Sequence, residues 1–568
     1  MKSLVFDIET DGLQSTKIYC MSILNVDTEE QFNFPPSKIE EGIELLESAD
    51  KLIGHNIIGF DIPEIKRLYG VDLMSKKIID TLVLSRLFNP IRSSHGLKAW
   101  GDYLNFPKIE FNDYSRYSDN MMKYCAQDVL VNYKVYQSLK GESKGFTSES
   151  VNLETETYKI TCNQRDFGFF MNQEAAQDLL IYFKNELIKA EDEVHKTFKP
   201  KVIERPLKAQ HTKQGVLKKL GIDNEGSQAR LTDEEYAAMT KGAGVIVRTT
   251  EEPFNLGSRQ QIGQYLQEFG WKPKEFTPTG QAKIDETILS TVKDIPEAAI
   301  IARYLMLQKR IAQVQSWLSF LRRDRVHGSV ISNGTITGRM SHRDPNLAQV
   351  PSVTSPYGKE CRAVWSVPRG YKLVGIDASG LELRMLAHYL NDKEFINDIL
   401  NGDIHTANQA RAGLKSRTHA KIGSVVGGDK KAGRRIKQSF LNNFPTLKSL
   451  RNRITREAEQ NEYIKALDGR KVFIRSSHAA LNSLLQGAGA IVMKRGLIIL
   501  NDMLQDSDVD ANIVANVHDE WQVETWHEDV DRLGEMAVNA IRQAGDYYKL
   551  NCPLDAEYKV GENWSETH

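Results

Sequence analysis

Five cysteines in 568 residues, Cys20, Cys125, Cys162, Cys361 and Cys552, are odd in number and scattered. They suggest neither a disulfide framework nor a zinc site, and they suit a reducing cytosol. A surplus of one charge is missing too. With 74 basic and 75 acidic residues, the formal net charge is −1, which on its own argues against a protein that coats nucleic acid. There is no long uncharged apolar run, and the opening MKSLVFDIE enters a charged strand instead of a signal peptide. Neither membrane nor secretion is expected. No fixed-period repeat, low-complexity tract or aromatic-rich platform for single-stranded bases stands out. Between Tyr389 and Tyr463 there is neither Tyr nor Trp. What is present is ordinary globular material, 40% hydrophobic and 26% charged, enough for about four domain-sized units.

The chain is organised around KLVGIDASGLELRMLAHYL, Lys372 to Leu390. It reads as a short strand, Leu373 to Ile376, delivering Asp377 to its exposed end. A helix follows with Leu383, Leu386, Ala387 and Leu390 on one apolar face. Downstream, NIVANVHDEWQVE (Asn512 to Glu524) reads as a hairpin whose turn holds His518, Asp519 and Glu520. An acidic pair at such a tip has no packing reason to be there. Carboxylates brought together repel unless divalent cations lie between them, and hard oxygen ligands suit magnesium. Two such ions about 3.5–4 Å apart serve phosphoryl transfer.

A second acidic set lies near the start. SLVFDIETDGL is an alternating strand with Asp7 and Glu9 on one face. KLIGHNIIGFDIPEI places Asp61 at a strand-to-helix junction, and KYCAQDVLVNYKVYQSL puts Tyr124 and Asp128 four apart on one helix face. Carboxylates from three separate elements again call for a metal pair. From about Gly145 the chain turns strongly helical, with a break at Asp166–Gly168, a capped helix after Ser258 and a long helix in PEAAIIARYLMLQKRIAQVQSWLSFL. An irregular polar run is expected between them, from Lys199 to Pro253. Basic residues cluster at Arg322, Arg323 and Arg325, at 430–437, and at Arg451, Arg453 and Arg456. Three such runs beside two acidic sites predict a track for a nucleic-acid backbone.

DASGLELRMLAHY and VHDE together resemble the two palm motifs of family A (DNA polymerase I-like) DNA polymerases, closest to the replicative enzymes of short-tailed bacteriophages. The N-terminal set resembles the three motifs of DnaQ-like 3′–5′ exonucleases. The implied architecture is an α/β multidomain chain, an RNase H-like exonuclease domain followed by a right-hand polymerase with thumb, fingers and a palm built on an antiparallel sheet. The expected boundaries are exonuclease 1–145, thumb 146–327, palm 328–410, fingers 411–463 and palm again 464–568. The resemblance implies metal ligation by Asp377, Asp519 and the Ala378 carbonyl in the palm, and by Asp7, Glu9, Asp61 and Asp128 in the exonuclease. Tyr124 would orient the attacking water. Glu382 would exclude a ribose 2′-hydroxyl, while His405, Arg417 and Lys421 would bind nucleotide. Arg339, Asn346, Gln349, Asn482, Gln486 and His518 would contact DNA, the amides reading minor-groove acceptors common to every correct pair. His55 and Asn56 would support the exonuclease site.

The implied cofactor is Mg2+, two per active site, with Mn2+ able to substitute. The implied partners are primer–template DNA and deoxynucleoside triphosphates, with a replicative helicase and a single-strand-binding protein nearby, in the host cytoplasm. Phage relatives carry a thumb insertion that recruits host thioredoxin; the segment here carries no motif matched to it. One departure stands out. After the lysine of the fingers the family continues with an aromatic, usually Tyr, and a later Tyr-Gly. Here Lys421 runs into IGSVVGGDKKAGRR, so roughly one helix of the fingers is missing. Either the molecule lacks it, or the chain in the cell is longer than these 568 residues. The leading expectation is a proofreading DNA polymerase. The alternative is a 3′–5′ exonuclease whose polymerase half binds primer–template but extends it poorly.

Overall fold

The computed structural model describes residues 2–402 and 444–568, which form two compact units. The first comprises residues 1–173 and 317–568, the second 174–316.

The first unit begins with a five-stranded sheet in the order Gln31–Phe34, Ile18–Asn25, Ser3–Thr10, Lys51–Gly54, Lys77–Asp80. The central strand runs antiparallel to Ile18–Asn25 and parallel to Lys51–Gly54. It is almost wholly buried because both faces are covered. Leu4, Phe6 and Ile8 enter one core cluster, while Val5 packs with Val129 and Tyr136 of the helix Asp119–Glu142. The alternation of a strand therefore turns residues 5, 7 and 9 towards that helix. Ser118 caps it by accepting from the Met121 amide, which fixes where its first turn begins.

The helix Ser148–Phe167 leads out of this sheet domain and groups with the first unit. It carries Glu154, fully buried, into a charge cluster with residues far along the chain. Arg470 donates to Glu154 Oε1 at 2.6 Å and pairs with Asp468 at 2.7 Å. Lys494 reaches the same Glu154 oxygen at 2.5 Å and donates to the Gly338 carbonyl at 2.7 Å. Burial alone would raise Glu154, but Lys494 and Arg470 hold its carboxyl below the usual range. Burial also lowers Lys494 to about 8, against the pull of Glu154. Removing one partner from such a set leaves an uncompensated buried charge. Glu154→Gln is expected to lower stability by about 3–5 kcal/mol, measured as the shift of the urea midpoint. The loss should shrink as pH rises towards about 8, because Lys494 without Glu154 sheds its proton earlier than it does in the unaltered chain, and it should level off above that pH.

The rest of the first unit is built on an antiparallel sheet in the order Ala511–Val517, Glu520–Trp526, Tyr371–Ala378, Ala556–Gly561. The helices Ala480–Gln505 and Val530–Tyr547 bury their apolar faces in its core. By length and hydropathy alone the segment Ser477–Gln505 could cross a membrane, but it carries Lys494 and Arg495 and is a core helix, its apolar window 72% buried. The helix Leu381–Leu390 forms where expected, but its fully buried residues are Leu381, Met385, Ala387 and Leu390. Leu383 and Leu386 only flank the core.

In the second unit the helices Gln173–Thr197, Arg259–Glu268 and Pro296–Ser319 match the sequence reading. The run expected to be irregular is instead a four-stranded antiparallel sheet, in the order Val245–Glu252, Lys201–His211, Leu217–Ile222, Gln228–Arg230. Its small core is Leu207, Leu231 and Met239, and Val202, Val216, Val245 and Val247 are exposed. So little apolar burial explains why its composition reads as polar.

Candidate functional sites

The exonuclease-like set converges as the motifs require. Asp7 and Glu9 lie on the strand Ser3–Thr10, Asp61 opens the helix Asp61–Tyr69, and Tyr124 and Asp128 stand on the helix above the strand. Asp61 is held by the Ile8 amide, which donates to its Oδ1 at 3.2 Å. Glu9, Asp61 and Asp128 are all buried. Burial, then Asp61, Glu9 and Asp128, push Asp7 well above the usual carboxylate range. Burial and Asp128 raise Glu9 to about 8, and burial raises Asp61 to about 7. Asp128 is raised by burial as well, and its Oδ1 is buried without a hydrogen-bond partner. Four acids that hold protons this strongly, one with an orphaned oxygen, fit a site for divalent cations.

Two residues of this centre escaped the sequence reading. Cys125 brings its thiol within 4.8 Å of the ligand atoms of Asp7 and Glu9, and its Sγ donates to the Asp7 carbonyl at 3.4 Å. The signal was its place in KYCAQD, next to Tyr124 on the helix face already assigned to the site. Lys108, on the loop before that helix, pairs with Asp128 Oδ2 at 2.5 Å and donates to the Tyr124 hydroxyl at 3.0 Å. Only the fold brings it there. His55 and Asn56 bond to residues outside the acidic set. His55 shares a hydrogen bond with Thr81, and Asn56 accepts from the Tyr158 hydroxyl on the helix leading out of the domain.

The second centre sits at the hairpin turn His518–Asp519 between the strands Ala511–Val517 and Glu520–Trp526. His518 adopts a left-handed conformation at φ 59° to close the turn. The Ala378 amide donates to the Asp519 carbonyl at 3.1 Å, which locks the turn against the strand carrying Asp377. Surrounding protein, then Asp519 and Glu520, raise Asp377 to about 6. Glu520 is not part of an acidic tip, and the sequence reading is corrected here. It is 5% exposed, accepts from Gln522 and Trp564, and pairs with His568 at 2.6 Å. Burial alone would raise it, but His568 and Arg362 bring it below the usual range.

One pocket beside this hairpin is lined by Arg339, Glu382, His518 and Asp519. Arg339 pairs with Glu382 at 2.6 Å. Lys494 and Asn516 line it too and were missed by the sequence reading; the buried Asn516 Nδ2 has no partner. Asn482 and Gln486 lie on the helix Ala480–Gln505 with their side chains exposed or half-buried. Asn346 precedes and Gln349 ends a short helical turn, Leu347–Gln349, and Asn346 Oδ1 is buried without a partner. Arg325 does not belong to an open basic track, because Glu524 holds it in a two-pronged pair at 2.6 and 3.0 Å. His405, Arg417, Lys421 and the basic run 430–437 lie outside the described residues.

The profile of DNA polymerase family A matches residues 227–421 and 413–566, and that of the RNase_H superfamily residues 4–140. The DNA-directed DNA polymerases of Escherichia phage T7 and Enterobacteria phage T3 are each 33% identical to this chain, over all of both chains. The chain belongs to DNA polymerase family A. It shares the fold of the POL domain of Pol1 from M. smegmatis, a structure in complex with DNA primer-template and dNTP, at a TM-score of 0.77. The identity there is 16%, and the match covers 100% of this chain and 96% of that one. The family A profile matches in two pieces that meet at 413–421. The phage alignment runs over 708 positions against 568 residues here, so those family A relatives carry segments without a counterpart in this chain.

Proposed function

We propose that the chain is a DNA-templated DNA polymerase with a proofreading 3′–5′ exonuclease, working by metal-assisted phosphoryl transfer at two separate sites in phage DNA replication. The observation that carries this reading is the pair of carboxylate centres, one under the helix Asp119–Glu142 and one at the hairpin His518–Asp519, in a family A chain. Asp7, Glu9, Asp61 and Asp128 would hold divalent ions at the first, and Asp377, Asp519 and the Ala378 carbonyl at the second. Magnesium is the fitting ion for an all-oxygen set and manganese its substitute. Bound there, it supplies charge to the reacting phosphate and activates the attacking oxygen. The chain's own residues do the positioning. Tyr124 orients water at the exonuclease site, and Arg339, Asn346, Gln349, Asn482, Gln486 and His518 hold the primer–template. His405, Arg417 and Lys421 take the triphosphate.

The partners in this reading are primer–template DNA and deoxynucleoside triphosphates, in the host cytoplasm, beside a helicase and a single-strand-binding protein. Host thioredoxin, if it serves as processivity factor, would dock on the sheet of residues 201–252. The test is a labelled primer–template incubated with magnesium, with and without deoxynucleotides. Longer products with them and shorter ones without support the reading; a retarded but unchanged primer rejects it.

Glu382 is the sugar gate in this reading. Its carboxylate faces the same pocket as Asp519 and is fixed by Arg339. Glu382→Ala should narrow the preference for deoxy- over ribonucleotides by about tenfold, the worth of one steric or hydrogen-bonding contact. The measurement is the ratio of kcat/KM for the two sugars. An unchanged ratio removes the role.

A further inference from the structure

Once ionised, the four acids of the exonuclease centre repel the phosphate of a bound 3′ end. Lys108 is the cation whose field acts on Asp7, Glu9 and Asp128 alike, opposing the burial that raises them. It is not a free surface lysine, since its side chain is 20% exposed. The loop that carries it is tied to the helix below by Gln127, which donates to the Pro107 carbonyl at 2.8 Å. Its ammonium stands over the Tyr124 ring, 4.8 Å from the centroid, and Phe111 stacks on that ring at 5.3 Å. Of its three N–H donors, two are used on Asp128 Oδ2 and the Tyr124 hydroxyl. One is left beside the carboxylates.

From this placement we infer that Lys108 is a further catalytic residue of the exonuclease centre, its ammonium binding a non-bridging oxygen of the scissile phosphate at a single-stranded 3′ end. The inference rests on the exonuclease reading above and adds a residue to it. In the reaction the oxygen of one water joins phosphorus and the bond from phosphorus to the 3′-oxygen of the penultimate nucleotide breaks. That oxygen takes up a proton, and a nucleoside 5′-monophosphate leaves. Lys108 keeps its proton throughout and contributes only charge, preorganised by Asp128 and Tyr124.

The test compares Lys108→Met and Lys108→Arg with the unaltered chain. Binding is read from an oligonucleotide carrying 2-aminopurine at its 3′ end, in chelator so that nothing is cleaved. Cleavage is read as a single-turnover rate in magnesium, and primer–template binding by the polymerase half serves as the control for folding. Lys108→Met should weaken binding of the 3′ end about tenfold, as loss of one charge-assisted contact does. It should also slow cleavage about 100-fold, and Lys108→Arg should recover most of both. With an uncharged methylphosphonate as the terminal linkage, Lys108→Met and the unaltered chain should bind alike. Equal binding and cleavage by a folded Lys108→Met protein would overturn the proposal. So would a tenfold gap that persists with the neutral linkage, because the lysine would then serve only to neutralise Asp128. If the unaltered chain fails to cut 3′ ends in magnesium, the exonuclease reading falls and the lysine's role with it. Cutting that is untouched by the substitution overturns the lysine alone.

Discussion

A protein of these 568 residues should extend a primer at least about 100-fold more slowly than the phage T7 and T3 polymerases, while still binding primer–template and degrading 3′ ends. The cause lies after Lys421. On the reading proposed above, that helix would stack an aromatic on the nascent base pair while Arg417 and Lys421 hold phosphates, and its closure would assemble the catalytic geometry. Here no Tyr or Trp occurs between Tyr389 and Tyr463, and the family profile breaks in two at 413–421. Asp377 and Asp519 could still bind metal, because the hairpin and its neighbouring strand hold them independently of the fingers. The nucleotide would lose its stacking surface and its lid against water. The measurement is single-nucleotide extension in magnesium beside the phage T7 enzyme, on a preparation whose intact mass is 64.4 kDa. Brisk extension at that mass would sink the idea. A heavier chain, by about a dozen residues of helix or more, would mean that the missing segment is present in the cell.

Replacing Asp7 and Glu9 together by alanine should reduce degradation of single-stranded 3′ ends by about 1,000-fold or more, since about 4 kcal/mol of lost transition-state stabilisation corresponds to that factor. Whatever primer extension the chain supports should survive. The two acids stand on a strand of the N-terminal sheet, and the polymerase acids stand on a different sheet. The substitution also relieves mutual repulsion among buried carboxylates, so the fold should tolerate it. The assay is release of labelled nucleotide in magnesium, run beside extension on the same preparation. Loss of both activities in a folded double variant would reject two independent sites.

Much of this was legible in the sequence because the informative residues sit on regular elements. Period two put Asp7 and Glu9 on one face, and a spacing of four put Tyr124 with Asp128 and Asn482 with Gln486. The hairpin was readable from two apolar runs around His518 and Asp519. What failed to show is what tertiary structure alone decides. Lys108 belongs to a loop with no periodicity, and its role depends on lying across Asp128 and Tyr124. Glu520 reads as a second tip acid until the fold supplies Trp564, Gln522 and His568 as its partners. The sheet at 201–252 buries so little that its strands carry no clear alternation, and it passes for an irregular run. Glu154 sits on an amphipathic helix with nothing in its neighbourhood to announce a buried charge. Its counter-ions are 316 and 340 residues away in the chain.

That last separation limits how such genes can be recombined. A crossover placed before Ser148 could exchange a nuclease domain between relatives and leave Glu154, Arg470 and Lys494 inherited from one parent. A crossover within or after the helix Ser148–Phe167 could bring in a chain whose side chain at 154 answers to other partners. The hybrid would then carry two cations in its interior with one acid between them. Viable mosaics of this lineage should therefore have their junctions upstream of that helix, and the incoming nuclease domain must then accept Tyr158 and Cys162 into its core and the Tyr158 hydroxyl on Asn56.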